Sequence, residues 1–209
     1  MPDPGTDTNY SGLLTVWSEA RDLGLLGPGP VEDHLDHSLR YFHSMASPPR
    51  TVVDMGSGAG VPGLALAIMW PEATVTLLDA GEKRCAFLTR AVRELDLGDR
   101  VRVVRGRAEE LGREERFRES FDLVTVRSFG GPSVTAECAS GLLTVGGWLL
   151  VSEPPGSTGQ RWPETPLRRL SLELVSHRSE TNIVVLTKAG KLSADYPRRV
   201  GLPAKRPIF

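Results

Sequence analysis

Residues 51–68, TVVDMGSGAGVPGLALAI, constrain the fold of this chain more than any other stretch. A short apolar run passes into a glycine-rich turn and then into residues that favour a helix. Gly56, Gly58 and Gly60 allow backbone angles closed to other residues and let a ligand approach the main chain. Pro62 suits a first helical turn, where its missing N–H costs nothing. Tight turns use glycine for many purposes, so this segment gains its meaning from the next one. Residues 74–79, TVTLLD, form a second apolar run ending in Asp79, 19 positions beyond Gly60. A carboxylate at about that spacing meets the ribose hydroxyls of a nucleotide held on the first turn. Together the two segments indicate a βαβ unit built for an adenosine-type cofactor.

NAD, FAD and S-adenosylmethionine all carry that group. A dinucleotide fingerprint sets its first glycine directly after the strand and holds a pyrophosphate on a helix N-terminus. Here the order is D-x-G-S-G-x-G, with Asp54 before the turn. A carboxylate there repels pyrophosphate and suits a methionine ammonium, directly or through water, which favours S-adenosylmethionine. Asp54 also has a plainer use, satisfying N–H groups of the turn.

From Pro48 onward strands and helices alternate, the pattern of a mostly parallel sheet covered on both faces. Strands are expected at 51–55, 74–79, 101–105, 121–126, 147–152, 171–177 and 181–187. Helices are expected near 62–70, 82–96 and 132–143, with a short turn near 108–112. The last two strands read as a terminal antiparallel hairpin. Ahead of this lie residues 1–9, read as a disordered leader, and a helical extension over 10–46. In the extension, Leu13, Leu14, Val16, Trp17, Ala20 and Leu23 make one stripe, and Leu35, Leu39 and Phe42 another. Gly24 to Pro30 breaks the two helices apart. The α/β domain proper spans 47–195, with 153–166 as a surface loop, and 196–209 is a basic Pro/Arg-rich tail.

The 209-residue chain suits one substantial core, and its net charge of −1 gives no global attraction to nucleic acid. It shows no run of about 20 apolar residues to span a bilayer, and its start is acidic and polar, unlike a signal peptide. Cys85 and Cys138 lack metal spacing and read as reduced thiols of a cytoplasmic protein. His34, His37 and His43, with Asp33 and Asp36, resemble a metal set on paper but read as polar residues of an N-terminal helix, so no metal is expected. The four tryptophans, Trp17, Trp70, Trp148 and Trp162, read as packing residues.

In open α/β sheets ligands lie beyond the carboxyl ends of the strands. Those ends supply Asp54, the glycine turn, Asp79, then Gly106 to Glu110, Val126 to Phe129, and Ser152 to Pro155. In family order, D-M-G-S-G-A-G-V-P-G (54–63), LLDAGEKRCAFL (77–88), RAEE (107–110), RSF (127–129) and YPRRVGLPAKRP (196–207) resemble the glucose-inhibited division protein B family. Those proteins are bacterial methyltransferases of small-subunit (16S) ribosomal RNA. The resemblance implies a class I S-adenosylmethionine-dependent methyltransferase: a Rossmann-like, seven-stranded sheet that methylates guanine N7. By position it assigns cofactor contacts to Gly56, Val61, Asp79, Ala108, Glu109 and Arg127, to which Asp54, Gly58 and Gly60 add themselves from the motif. Arg127 is also the candidate catalytic group, and either it or Ser128 would donate a hydrogen bond to the guanine O6. RNA contacts are expected from Lys83, Arg84, Arg198, Arg199, Lys205 and Arg206, on a monomer acting on rRNA or the small ribosomal subunit.

The chain departs from the family pattern at three places. Residues 18–31 carry a Gly/Pro turn where an Asn-Leu-Thr segment is usual. His37 stands where many members have an acid, and Glu153 where they have a lysine. That last change weakens the expected contact with a phosphate or guanine. It leaves open methylation of a small molecule, or cofactor binding without transfer.

Overall fold

The computed structural model describes residues 7–27, 29–178 and 180–209. Seven strands form one sheet: β1 (Thr51–Met55), β2 (Thr74–Asp79), β3 (Val101–Arg105), β4 (Phe121–Val126), β5 (Leu143–Ser152), β6 (Leu172–Arg178) and β7 (Ile183–Lys188). Their order is β3-β2-β1-β4-β5-β7-β6. Strands β3 to β5 pair in parallel, and β7 runs antiparallel between β5 and β6. The order reverses between β1 and β4, the place where such sheets open a crevice.

Helices cover both faces. On one lie α1 (Asp7–Asp22), α2 (Val31–Ser44), α3 (Gly63–Met69) and α4 (Glu82–Glu94). On the other are α5 (Ala108–Leu111), α6 (Pro132–Leu142) and α7 (Glu164–Arg169), with α8 (Leu202–Lys205) packed on α6. Val52 and Val53 illustrate the alternation, one entering each core. Because both faces are covered, β1 and β2 are almost wholly buried and read as apolar runs rather than alternating ones.

The expected elements are present, with shifts that have local causes. Helix α1 begins at Asp7, inside the stretch read as a leader, while residues 1–6 lie outside the described residues. It ends at a Schellman turn: Gly24 takes φ 69°, Leu25 N–H bonds Ala20 O and Gly24 N–H bonds Arg21 O. That stop leaves Leu23 exposed, although its spacing placed it on the apolar stripe. Strand β5 starts four residues early because Gly146 and Gly147 form a bulge rather than a break. The register jumps from Phe121↔Leu143 to Leu123↔Trp148, and a side chain at Gly147 would strike three carbonyl oxygens. The loop expected over 153–166 runs into α7, whose Leu167 is buried. Among the described residues no helix is long and apolar enough to cross a membrane.

Candidate cofactor and substrate site

The glycine turn is fixed from below. Gly56, Gly58 and Gly60 all adopt positive φ, at 77°, 60° and 83°. The N–H groups of Gly56 and Ser57 both bond to Leu78 O, tying the turn to β2. Asp54, 1% exposed, accepts from Ser57 Oγ (2.6 Å), Gly63 N (3.2 Å) and Thr125 Oγ1 (3.0 Å). Burial raises its carboxyl to about 6, against the pull of those three donors. The structure therefore puts Asp54 beneath the turn as its internal fastener, the plainer of its two sequence readings. A side chain at Gly56 would lie 2.6 Å from Phe129 and one at Gly60 2.4 Å from Leu64, whereas Gly58 faces space with nothing nearer than 3.9 Å. Two of these glycines answer to packing, and one leaves room above the turn.

Asp79 stands at the end of β2, 4% exposed, its oxygens bonded to Gly58 N (3.0 Å) and Gly81 N (2.7 Å). Arg84 approaches at 3.6 Å. Beside Asp79 opens a cavity of about 410 Å³, lined also by Gly56, Ala108, Glu109 and Phe129. A second cavity of about 270 Å³ continues over the turn, bounded by Ser57, Gly58, Val61 and Arg127. Leu25 and Leu26, from the Gly/Pro segment between α1 and α2, close its other side. A third, about 260 Å³, lies between the ends of β4 and β5, with Phe129, Glu153, Arg161 and Trp162 in its wall. Ser128, at φ 54°, lines all three, so they form one file along the carboxyl edge of the sheet.

The N-terminal helices reach this edge with polar groups. Helix α2 buries Val31, His34, Ser38, Tyr41 and Ser44, a stripe one step round from the Leu35, Leu39 and Phe42 face that its apolar residues suggested. Tyr41 Oη donates to Val126 O at 2.7 Å, and Trp17 Nε1 donates to Ala59 O at 3.1 Å. Arg127 Nη2 lies 2.9 Å from His34 Nδ1. A guanidinium only donates, so His34 must offer a lone pair there and remain neutral. Burial, then the Arg127 charge, lowers the His34 pKa, and the same two causes hold His37 at about 4. Arg127 Nη1 is buried without a protein partner. Among the described residues no group of three or more His, Cys, Asp or Glu could hold a metal ion.

The acid at 153 is not a free charge. Its side chain is 3% exposed, and Oε2 accepts from Ser157 Oγ (2.6 Å) and Arg161 Nη1 (3.0 Å). Among the cations expected to meet RNA, Lys83, Arg84, Arg199, Lys205 and Arg206 are exposed. Arg198 is part-exposed and already engaged within the protein. Its guanidinium and backbone N–H grip the fully buried Glu137 at 2.6–2.9 Å, because a buried carboxylate demands a paired cation. No pattern in the chain marks the roles of His34, Tyr41 and Ser57, polar residues whose partners are distant in the chain or part of the turn itself. Val200, Gly201 and Ala204, within the family-like tail motif, line the largest of these cavities, a place that neither charge nor spacing indicates.

The pattern that defines the GidB family, rRNA small subunit methyltransferase G, matches residues 8–153. The chain belongs to the GidB family. It is 32% identical over 213 residues to ribosomal RNA small subunit methyltransferase G of Moorella thermoacetica, a match covering 95% of this chain and 88% of that protein. The protein of the same description from Roseiflexus castenholzii is 38% identical, over 96% of this chain and 89% of its own length. Among solved structures, an O-methyltransferase family protein from Burkholderia thailandensis shares the fold, with a TM-score of 0.54 at 18% identity over 75% of this chain and 57% of that one. This GidB-family chain thus keeps the methyltransferase sheet and carries the family's glycine turn at its switch point.

Proposed function

We propose that this chain transfers the methyl group of S-adenosylmethionine to N7 of a guanine in small-subunit ribosomal RNA. Family membership supports the reaction, and the single observation that supports its location is the file of three cavities joined at Ser128. The adenosine would lie beside Asp79 and Ala108, with the carboxylate of Asp79 facing the ribose. The methionine part would cross the open space above Gly58 toward Arg127. The guanine would enter between the ends of β4 and β5. These surroundings suit the cofactor: a fixed carboxylate, a turn without side chains at its point of closest approach, and an orphaned Arg127 donor for an anionic group.

The cofactor supplies an electrophilic methyl on sulfur. Guanine N7 has a lone pair and no proton, so no general base is required. The protein's part is alignment, which can lower a barrier by several kcal/mol. Asp54 and Leu78 fix the turn, His34 fixes Arg127, and Ser128 stands where cofactor and guanine cavities meet. Glu153, paired with Arg161, presents no unbalanced negative charge to RNA, which supports the RNA reading over methylation of a small molecule. Lys83, Arg84, Arg199, Lys205 and Arg206 would meet phosphates of the RNA, in the cytoplasm where ribosomes are made.

Purified protein with labelled S-adenosylmethionine should label small ribosomal subunits or their bare RNA and leave a metabolite extract unlabelled. Label confined to the metabolites would overturn the RNA reading, and cofactor binding without transfer to any of them would overturn the enzymatic one.

A further inference from the structure

The backbone of the basic tail, a candidate RNA-binding segment, is bound to the body of the protein along its length. Arg118 Nη1 donates to Tyr196 O at 2.8 Å, and Arg113 Nη1 to Pro197 O at 2.6 Å. The Pro197 ring sits on two glycines: a side chain at Gly141 would come within 2.6 Å of it, and one at Gly112 within 2.8 Å. Arg198 grips Glu137, Gly201 N donates to Glu109 Oε1 at 3.1 Å, and Ile208 N donates to Ser133 Oγ at 2.8 Å. The Glu109 carboxylate, expected from its position to face the cofactor, thus holds the tail by one oxygen.

What this docking produces is a wall. Val200, Gly201 and Ala204 line the large cavity together with Asp79 and Ala108. Val200 is a branched apolar side chain left 44% exposed at that wall. A flat, largely apolar ring placed between Ala108 and Val200 would cover it. We infer that residues 200–204 are part of the cofactor site, forming the outer wall against which the adenine lies, so that the tail sets cofactor affinity. This rests on the S-adenosylmethionine reading above. It also gives Glu109 a task beyond any contact with the base, which is to position the wall through Gly201.

The test uses the full chain, with S-adenosylhomocysteine as the calorimetric probe and an rRNA fragment as a second ligand. Ala204→Trp adds bulk to the wall from an exposed position and leaves every anchor in place. It should weaken the probe at least ten-fold, with thermal midpoint and RNA affinity unchanged. Arg198→Ala loosens the anchor and should weaken the probe by a similar factor. If the wild type binds no probe, the cofactor reading falls and this one with it. If the wild type binds and Ala204→Trp binds equally well, only the wall is refuted. Loss of RNA affinity with intact probe binding in both variants would likewise refute it and leave the tail serving RNA alone.

Discussion

Replacing Asp54 with asparagine should change how the protein's stability depends on pH, in a direction opposite to the common carboxylate case. In the fold Asp54 titrates at about 6 instead of 3.8, because burial outweighs the bonds from Ser57, Thr125 and Gly63. A group whose folded pKa is raised holds its proton longer in the native state. Native protein is then favoured at low pH, and that advantage is lost as pH rises from about 4 to about 6. The difference between 3.8 and about 6, at 1.36 kcal/mol per unit, is about 3 kcal/mol. Asparagine has nearly the same shape and no such titration. Its oxygen can keep two of the three bonds, and Thr125 can turn to accept from its amide. Urea unfolding of both proteins across pH 3 to 7 should show the wild type losing about 3 kcal/mol relative to Asp54→Asn as pH rises. All other titrating groups cancel in that difference. A difference that stays flat, or that grows in favour of the wild type with rising pH, would refute the description of Asp54 as a carboxyl buried at net cost to hold the turn.

His34→Ala removes the acceptor that holds Arg127 and should cut the methylation rate about ten-fold, equivalent to one hydrogen bond to a charged group, with His34→Gln recovering most of the loss. His37 titrates at about 4 against an ordinary 6.5, so its contribution is intact above about pH 6.5 and is lost as pH falls toward 4, when His37 would face Arg127 as a cation; His37→Phe should flatten that acid limb in a pH series of thermal midpoints. Gly56→Val meets φ 77° and the Phe129 ring together, and should abolish measurable S-adenosylhomocysteine binding while costing at least about 1–2 kcal/mol of stability. At the opposite edge of the sheet, the fully buried Lys188 binds Ser140 O, Leu143 O and Glu119. Lys188→Met should cost about 3–5 kcal/mol in urea unfolding yet leave cofactor affinity unchanged at low temperature.

The sheet was legible because its strands, buried on both faces, stand out as apolar runs separated by turns. Asp79 could be found because strand, turn and acid follow in one short stretch. The fasteners of the site were hidden for a different reason. His34 and Tyr41 lie on a helix whose apolar residues mark a neighbouring face, and their partners are 93 and 85 residues away in the chain. Arg198 carries the charge of an RNA ligand, and only the burial of Glu137 shows where it goes. Glu153 read as a defect until Arg161, eight residues on, closed the ion pair.

The central claim is methyl transfer to guanine N7 at the carboxyl edge of this sheet. Small subunits from cells lacking the protein, incubated with it and S-adenosylmethionine, can be reduced with borohydride and treated with aniline, which cuts RNA at 7-methylguanosine. The account predicts one new cut in the small-subunit RNA, absent when Asp79→Ala replaces the wild type. Labelled methyl groups that enter the RNA without creating any cut, or a cut that survives Asp79→Ala undiminished, would contradict it.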